Sequence, residues 1–149
     1  MSNPDPQAVK QLLSELRDIN KEKRRTAVMK LGMVGGDEAV RALIMTVNNK
    51  YEDLIVRGRA ALMLGKLGDA RAVLPLIQAL DAPGYQTPLY AAQSLGLLGD
   101  PRAIGPLLGM LNSSNTKCRE AARESLERLG YDFEQGEGDL EPAITEDEL

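Results

Sequence analysis

Residues 64–80 read LGKLGDARAVLPLIQAL, and this stretch recurs on both sides of itself along the chain. Residues 31–47 read LGMVGGDEAVRALIMTV and residues 95–111 read LGLLGDPRAIGPLLGML, so the copies begin 33 and then 31 residues apart. The second half of the unit also occurs at 5–16, and its first half returns as LERLG at 126–130. A period of this length, with the same apolar positions in each copy, predicts a stack of four structural repeats.

Each copy predicts a pair of helices, because its apolar residues follow helical spacing. Four residues that serve well as N-caps precede the first helices, and four glycines suited to a left-handed C-terminal cap end the second helices. The N-cap positions are Asp5, Gly36, Asp69 and Asp100, and the C-cap positions are Gly35, Gly68, Gly99 and Gly130. Pro75 and Pro106 fall inside first helices and are expected to bend them. Since no strand pattern is found, the sequence predicts an all-α fold, a right-handed α-solenoid of about four helical hairpins.

The predicted repeat domain spans residues 5–130, and a different composition follows it. The repeats cover approximately residues 5–35, 36–68, 69–99 and 100–130. Residues 131–149 hold eight acidic residues and no Lys or Arg, whereas the other 130 residues carry 14 acids and all 18 bases, a net charge of +4. The last segment also has few apolar residues, so it cannot form a core of its own. The sequence therefore predicts a mildly basic body and an acidic, disordered tail.

The composition excludes several classes of function. The chain has no His and one Cys, which argues against His-based catalysis, an internal disulfide and a multi-Cys zinc site. Aromatic residues make up 3% and the body is only mildly basic, which argues against stacking platforms and nucleic-acid binding. No run of 18 apolar residues occurs, and the opening MSNPDPQAVK lacks the apolar core of a signal peptide. We therefore expect a cytoplasmic, non-enzymatic protein with no cofactor or metal and no membrane insertion.

The recurring phrase LGxLGDxRAVxPLIxAL resembles the HEAT-like repeat of the phycobilisome-lyase type, and the resemblance covers the predicted repeat domain. Repeats of this type occur in bilin lyase subunits, in phycobilisome-degradation factors and in interaction scaffolds. The resemblance implies that an arginine near the start of each second helix pairs with an acid of a neighbouring turn. Arg24, Arg57 and Arg119 match that position, whereas Pro88 stands there in the third copy and interrupts the series.

In a HEAT-like stack the second helices line the concave surface, so their outward positions are candidates for binding. With about 100° per residue and Leu64 in the core, the outward positions are Glu22, Thr26, Met29, Met33; Ile55, Arg59, Leu62, Lys66; Gln86, Tyr90, Gln93, Leu97; and Lys117, Ala121, Glu124, Arg128. Exposed apolar residues with a polar rim are typical of an interaction surface. The predicted partner-binding residues are Met29, Met33, Ile55, Arg59, Leu62, Lys66, Tyr90, Gln93, Leu97, Glu124 and Arg128. Alternatively, loops or the tail cover these residues, or the helix phase is wrong by one position.

The sequence therefore predicts a non-catalytic scaffold or adaptor that binds a protein partner on the concave face. The resemblance implies an alternative, an accessory factor in phycobiliprotein maturation or turnover that acts as a lyase-like subunit or a chaperone. Its partner would be a phycobiliprotein or another subunit of a photosynthetic complex. Arg59, Lys66 and Arg128 would then pair with the propionates of a bilin, and Leu62 and Tyr90 would contact its rings. The acidic tail either binds the concave face or only keeps the chain soluble.

Two further features of the sequence each have two interpretations. Cys118 follows the start of the last helix, where it is either a reactive thiol or a small packing residue. The basic cluster of Lys21, Lys23, Arg24 and Arg25 either contacts an acidic group or lies in a solvated turn. The sequence favours packing for the cysteine and solvation for the basic cluster.

Overall fold

The computed structural model describes residues 4–136, which form eight α-helices arranged as four hairpins. In each hairpin a first helix is followed by a second helix, and the second helices of neighbouring hairpins pack side by side. The helices are α1 (Pro6–Glu15), α2 (Lys21–Val34), α3 (Asp37–Asn48), α4 (Leu54–Leu67), α5 (Val73–Ala79), α6 (Gln86–Leu98), α7 (Ile104–Met110) and α8 (Thr116–Arg128). Within residues 4–136 no strand occurs, and the predicted all-α solenoid is confirmed.

Aspartates set where three of the first helices begin. The carboxylates of Asp5, Asp69 and Asp100 each accept a hydrogen bond of 2.9–3.0 Å from the backbone amide two residues further on. After Asp69 and Asp100 the chain makes one 3₁₀ turn before α5 and α7 begin. Pro75 and Pro106 are the third residues of these short helices, where a missing N–H breaks no intrahelical bond. The prolines predicted to bend the first helices therefore accompany a split into a 3₁₀ turn and a short α-helix.

Glycines end the central second helices in the predicted way. Gly68 and Gly99 adopt left-handed conformations with φ of +70° and +73°, which side chains with a Cβ rarely tolerate. Two predicted caps differ from this geometry. Gly35 has a positive φ but an extended ψ of −162°, and Gly130 follows the actual C-cap residue, Leu129.

The core repeats with the same period as the sequence. A leucine of each second helix and an alanine four residues before it are almost completely excluded from solvent, and residues four apart share one helix face. These residues are Leu31, Leu64, Leu95 and Leu126, with Ala27, Ala60, Ala91 and Ala122. The small alanines let neighbouring helices approach each other while the leucines fill the space between the two layers.

Neighbouring second helices approach most closely at glycines that directly follow the core leucines. A Cβ added at Gly65 would lie 2.8 Å from the Cα of Ser94, so α4 and α6 are in near-backbone contact there. Ser94 Oγ donates a hydrogen bond of 2.6 Å to the carbonyl oxygen of Ala61, and Ser125 Oγ donates an equivalent bond of 2.6 Å to Ala92. The facing pairs are Gly32 with Met63, Gly65 with Ser94 and Gly96 with Ser125. Because the same pair of repeat positions meets at every junction, the register between neighbouring second helices is constant along the stack.

The three arginines near the starts of second helices do not form one series of acid pairs. Arg24 does pair with an acid, since its Nη2 lies 3.0 Å from Glu52 Oε1. Arg57 instead donates from Nε and Nη2 to the backbone carbonyl of Val47, at 3.1 and 2.9 Å. Arg119 donates to the backbone carbonyl six residues before it, at 2.7 Å. The acid pairing implied by the resemblance is therefore wrong for Arg57 and Arg119, which bind carbonyls at or near the ends of first helices that lack intrahelical donors.

The first residues of the predicted tail form a turn against α8. The guanidinium of Arg123 lies 4.2 Å from the ring centre of Phe133, and Tyr131 meets Phe133 edge to face at 4.9 Å. Both aromatic side chains pack against the core, and the hydroxyl of Tyr131 donates to the carbonyl of Gly136. The predicted disorder therefore does not extend to residues 131–136. The remainder of the predicted tail, residues 137–149, lies outside the described residues.

Candidate functional site

On the two central second helices, α4 and α6, the side chains at the predicted outward positions are partly or fully exposed. From Val56 to Gly65 of α4 every residue is buried except Arg59 and Leu62. In α6 the stretch 87–96 is likewise buried except at the two predicted outward positions. The predicted helix phase is therefore right for α4 and α6. The second helices contact one another more extensively than the first helices do, as is expected for the helices on the concave side of a curved repeat stack. We call the surface formed by their outward positions the inner face.

The apolar residues of the inner face are less exposed than the sequence predicts. Met33 is 82% exposed and Leu97 is 50% exposed. Tyr90 packs over Gly58 of the neighbouring helix, whose missing side chain leaves room for the ring. The predicted positions that are only half-exposed are Met29, Ile55, Leu62 and Tyr90. The expectation of a broad exposed apolar surface is thus corrected to two well-exposed apolar positions.

The most exposed part of the inner face is its row nearest the C-terminal ends of the second helices. Met33, Lys66, Leu97 and Arg128 each lie two residues after a core leucine, so they occupy equivalent positions of the four second helices. All four side chains are exposed. Apolar and basic residues alternate across the four helices, and we call these four residues the exposed row.

The other predicted residues lie beside this row with different degrees of exposure. Gln93 and Glu124 are exposed, one helical turn before Leu97 and Arg128. Arg59 is half-buried, and its Nη1 lies 3.4 Å from the backbone carbonyl of Arg25. Ala121 was expected to point outward, but it is only 4% exposed and belongs to the core cluster. The outward row of α8 is therefore formed by its polar residues alone.

The basic cluster at the start of α2 is only partly solvated. Arg25 forms a bidentate pair with Asp53, at 2.9 and 3.0 Å, next to the pair of Arg24 with Glu52. Lys21 and Lys23 remain exposed. The favoured prediction of a solvated cluster is therefore wrong for Arg24 and Arg25, because two consecutive acids of the next hairpin bind them.

The pair of Arg25 with Asp53 makes stability depend on pH. Hydrogen bonds from Arg25 lower the pKa of Asp53 from 3.8 to about 2. A carboxyl group with a pKa lowered by folding stabilises the fold above its unfolded pKa, and this contribution is lost as the pH falls through the folded value. Asp53→Asn can still accept the capping bond from the Val56 amide, but it cannot form the ion pair.

We expect Asp53→Asn to lower the melting temperature above about pH 5, with the difference from the wild type vanishing near the folded pKa. Thermal melts followed by circular dichroism across this range measure the difference. Arg25→Met removes the other half of the pair and should show the same trend. A difference that is equal at both ends of the pH range would contradict the proposed contribution of Asp53.

A groove on the first-helix side was not found from the sequence. It lies between α1 and α3, has a volume of about 350 Å³, and includes the side chains of Leu13, Leu16 and Met45 in its lining. Met45 is 71% exposed. The groove exists because the first helices contact each other less than the second helices do. Met45, which lies just outside the apolar stripe of its helix, was the only sequence signal for it.

Cys118 is a packing residue. It is 2% exposed, its amide binds Asn115 Oδ1, and burial raises the pKa of its thiol. Burial therefore outweighs the position near a helix N-terminus, and the favoured interpretation of this residue is supported. Within residues 4–136 no grouping of His, Cys, Asp and Glu is suited to holding a metal ion. None of the helices in this range has the length and apolar character needed to cross a bilayer.

The fold and the exposed inner face define a helical-repeat solenoid. Residues 9–87 and 73–142 both match the family model of HEAT repeats, and together these stretches cover most of the sequence. The chain therefore belongs to the HEAT-repeat family, and its resemblance to the HEAT-like repeats of the phycobilisome-lyase type is confirmed. No curated protein matches the chain significantly.

Solved structures with similar folds come from different functional settings. The complex of CpcE and CpcF of phycocyanin lyase from Nostoc sp. PCC7120 matches with a TM-score of 0.74 and 28% identity, over 87% of this chain and 56% of that chain. Human deoxyhypusine hydroxylase in complex with glycerol matches with a TM-score of 0.68 and 24% identity, over 92% of this chain and 47% of that one. An engineered protein matches with a TM-score of 0.61, 18% identity, and coverages of 82% and 62%. This chain thus covers less than two thirds of each matched chain, and the last two matches show the fold alone.

Proposed function

We propose that this chain is a non-catalytic adaptor that binds a protein partner on its inner face. The observation that carries the proposal is the exposed row of Met33, Lys66, Leu97 and Arg128, in which apolar and basic side chains alternate at equivalent positions of neighbouring helices. Solenoids of stacked helical repeats present extended concave surfaces for binding. Such a row fits a partner segment that offers carboxylates and apolar side chains in alternation.

The backbone beneath the exposed row supports this function because it is fixed before binding. Gly65 and Gly96 place α4, α6 and α8 in near-backbone contact, and Ser94 and Ser125 add hydrogen bonds between them. A rigid surface loses little conformational entropy when a partner docks, so more of the interaction energy contributes to affinity. On binding, only the exposed side chains would lose conformational freedom.

Leu97→Asp is expected to lower the affinity for the partner by about tenfold or more, since it puts a charge in the middle of an apolar contact. Leu97 is half exposed, so the far-ultraviolet circular dichroism and the melting temperature should remain close to those of the wild type. Leu62 is unsuitable for this test, because it packs against the core and its replacement by Asp would also lower stability.

The matched control is Leu74→Asp, which changes an equally exposed leucine of a first helix, 56% exposed in the structure. The wild type and both variants are used to capture proteins from the native cell extract, and the captured partner is then purified and titrated calorimetrically. The proposal expects Leu97→Asp alone to lose affinity. Equal affinity of all three proteins, or a loss that is larger for Leu74→Asp, would contradict binding on the inner face.

A second candidate function is an accessory role in phycobiliprotein maturation or turnover. The observation that favours it is the 28% identity to a chain in the structure of the phycocyanin lyase complex. In this role Lys66 and Arg128 would pair with bilin propionates, and the half-buried Arg59, Leu62 and Tyr90 would need to open toward the rings. Visible absorption spectra of a bilin, recorded with and without the protein, test it. A spectral change that is lost in Lys66→Glu supports this role, and unchanged spectra oppose it.

A further inference from the structure

We propose that residues 137–149 of this chain occupy the exposed row when no partner is bound, so that the inner face is a site for an acidic segment with interspersed apolar residues. This inference rests on the proposed use of the inner face for binding, and it names the chemistry of the ligand. Four observations support it: the charges of the row, the composition of the segment, the place where the described chain ends, and the distance to be covered.

The charges of the row are available for a ligand. Within residues 4–136, Lys66 and Arg128 form no ion pair, whereas Arg24, Arg25 and Arg71 are held by carboxylates. Met33 and Leu97 stand beside these two basic residues with most or half of their surface exposed. The row therefore offers two positive charges and two apolar contacts in alternation.

The segment has the complementary composition. Residues 137–149 read EGDLEPAITEDEL, with six carboxylate side chains and no Lys or Arg. Leu140, Ile144 and Leu149 are spaced among the acids. An extended chain with this pattern can place carboxylates near Lys66 and Arg128 while its apolar side chains contact Met33 and Leu97.

The described chain ends beside α8, the helix that carries one end of the row. The turn at 131–136 is held against α8 by the stacking of Phe133 on Arg123 and by the hydrogen bond from Tyr131 to Gly136. The segment is therefore tethered beside the helix that carries Arg128. A short tether of this kind gives an effective concentration on the order of millimolar, so even weak attraction produces substantial occupancy.

The segment is long enough to cover the whole row. Neighbouring packed helices are about 8–10 Å apart, so the three steps from α8 to α2 span roughly 24–30 Å. Thirteen residues in extended conformation reach about 43 Å at ~3.3 Å per residue. A partner of the same chemistry would have to displace the segment, which would make the segment an internal competitor.

Paramagnetic labelling of the full chain tests this inference without any partner. The only cysteine, Cys118, is 2% exposed, so a label added to Thr145→Cys reacts selectively at residue 145. We expect the label to broaden the amide signals of Lys66 and Leu97 several-fold more than that of Leu74 in the outer layer. Raising the salt concentration to about 0.5 M should reduce this difference, because the Debye length becomes shorter than the width of the site.

Charge reversal provides the decisive comparison. In the labelled chain, the double change Lys66→Glu and Arg128→Glu should abolish the selective broadening, whereas Lys50→Glu, at an exposed position outside the inner face, should preserve it. Uniform broadening of both layers, absence of broadening, or broadening that survives the double reversal would overturn the inference. None of these outcomes changes the expected loss of partner affinity in Leu97→Asp. Failure of this inference is therefore distinguishable from failure of the proposed function.

Discussion

Gly65→Ala is expected to lower the free energy of unfolding by about 1–3 kcal/mol, although alanine is the better helix former. The added Cβ would lie 2.8 Å from the Cα of Ser94, and a backbone atom cannot move aside as a flexible side chain can. Helices α4 and α6 would have to separate, which would also lengthen the hydrogen bond from Ser94 Oγ to the carbonyl of Ala61. The loss should appear as a lower midpoint in urea unfolding.

The matched control for this prediction is Gly109→Ala in α7, where an added Cβ would meet no atom within 4 Å. This change should raise the free energy of unfolding by about 0.5–1 kcal/mol, because alanine reduces the entropy lost on forming a helix. The two substitutions are chemically identical and differ only in what the new methyl group meets. Changes of the same sign in both variants would contradict the close approach of α4 and α6.

The helices, their caps and the core face were predictable because their signals are local. Asp5, Asp69 and Asp100 cap helices through amides two residues away, and the core leucine of each repeat lies four residues after a buried alanine. Such relations depend on spacing along one chain segment, and the repeat shows them several times. The predicted phase of α4 and α6 was right for the same reason.

The exposure of the inner face was less predictable because it depends on the neighbouring hairpin. Tyr90 is half-buried since it lies over Gly58, a residue 32 positions earlier in the sequence. Likewise, Arg25 finds its acid at Asp53, in the next hairpin. A helical wheel assigns a direction to each side chain, but it does not reveal which neighbour covers it. The exposed row depends on the register between neighbouring helices, which a helical wheel does not contain.

Arg57 shows that a repeat motif likewise does not reveal which neighbouring group a side chain binds. The motif implied pairing with an acid, but Arg57 is 5% exposed and its guanidinium binds the carbonyl of Val47, near the end of α3. The last carbonyls of a helix have no intrahelical donor, and a positive charge there also interacts favourably with the helix dipole. Burial lowers the pKa of Arg57, but arginine remains charged at neutral pH. Arg57 therefore links the end of α3 to α4.

Arg57→Met is accordingly expected to lower the free energy of unfolding by about 2 kcal/mol, because it keeps much of the aliphatic side chain but leaves the Val47 carbonyl without its two donors. The adjacent cleft of about 130 Å³ can admit water, which limits the loss by replacing part of the hydrogen bonding. The control is Arg59→Met, two residues further along α4, whose 3.4 Å contact to a carbonyl is weak and half-exposed; it should cost less than about 0.5 kcal/mol. Urea unfolding of both variants measures the difference. Equal losses would mean that the bond of Arg57 to Val47 adds nothing beyond the packing of its side chain.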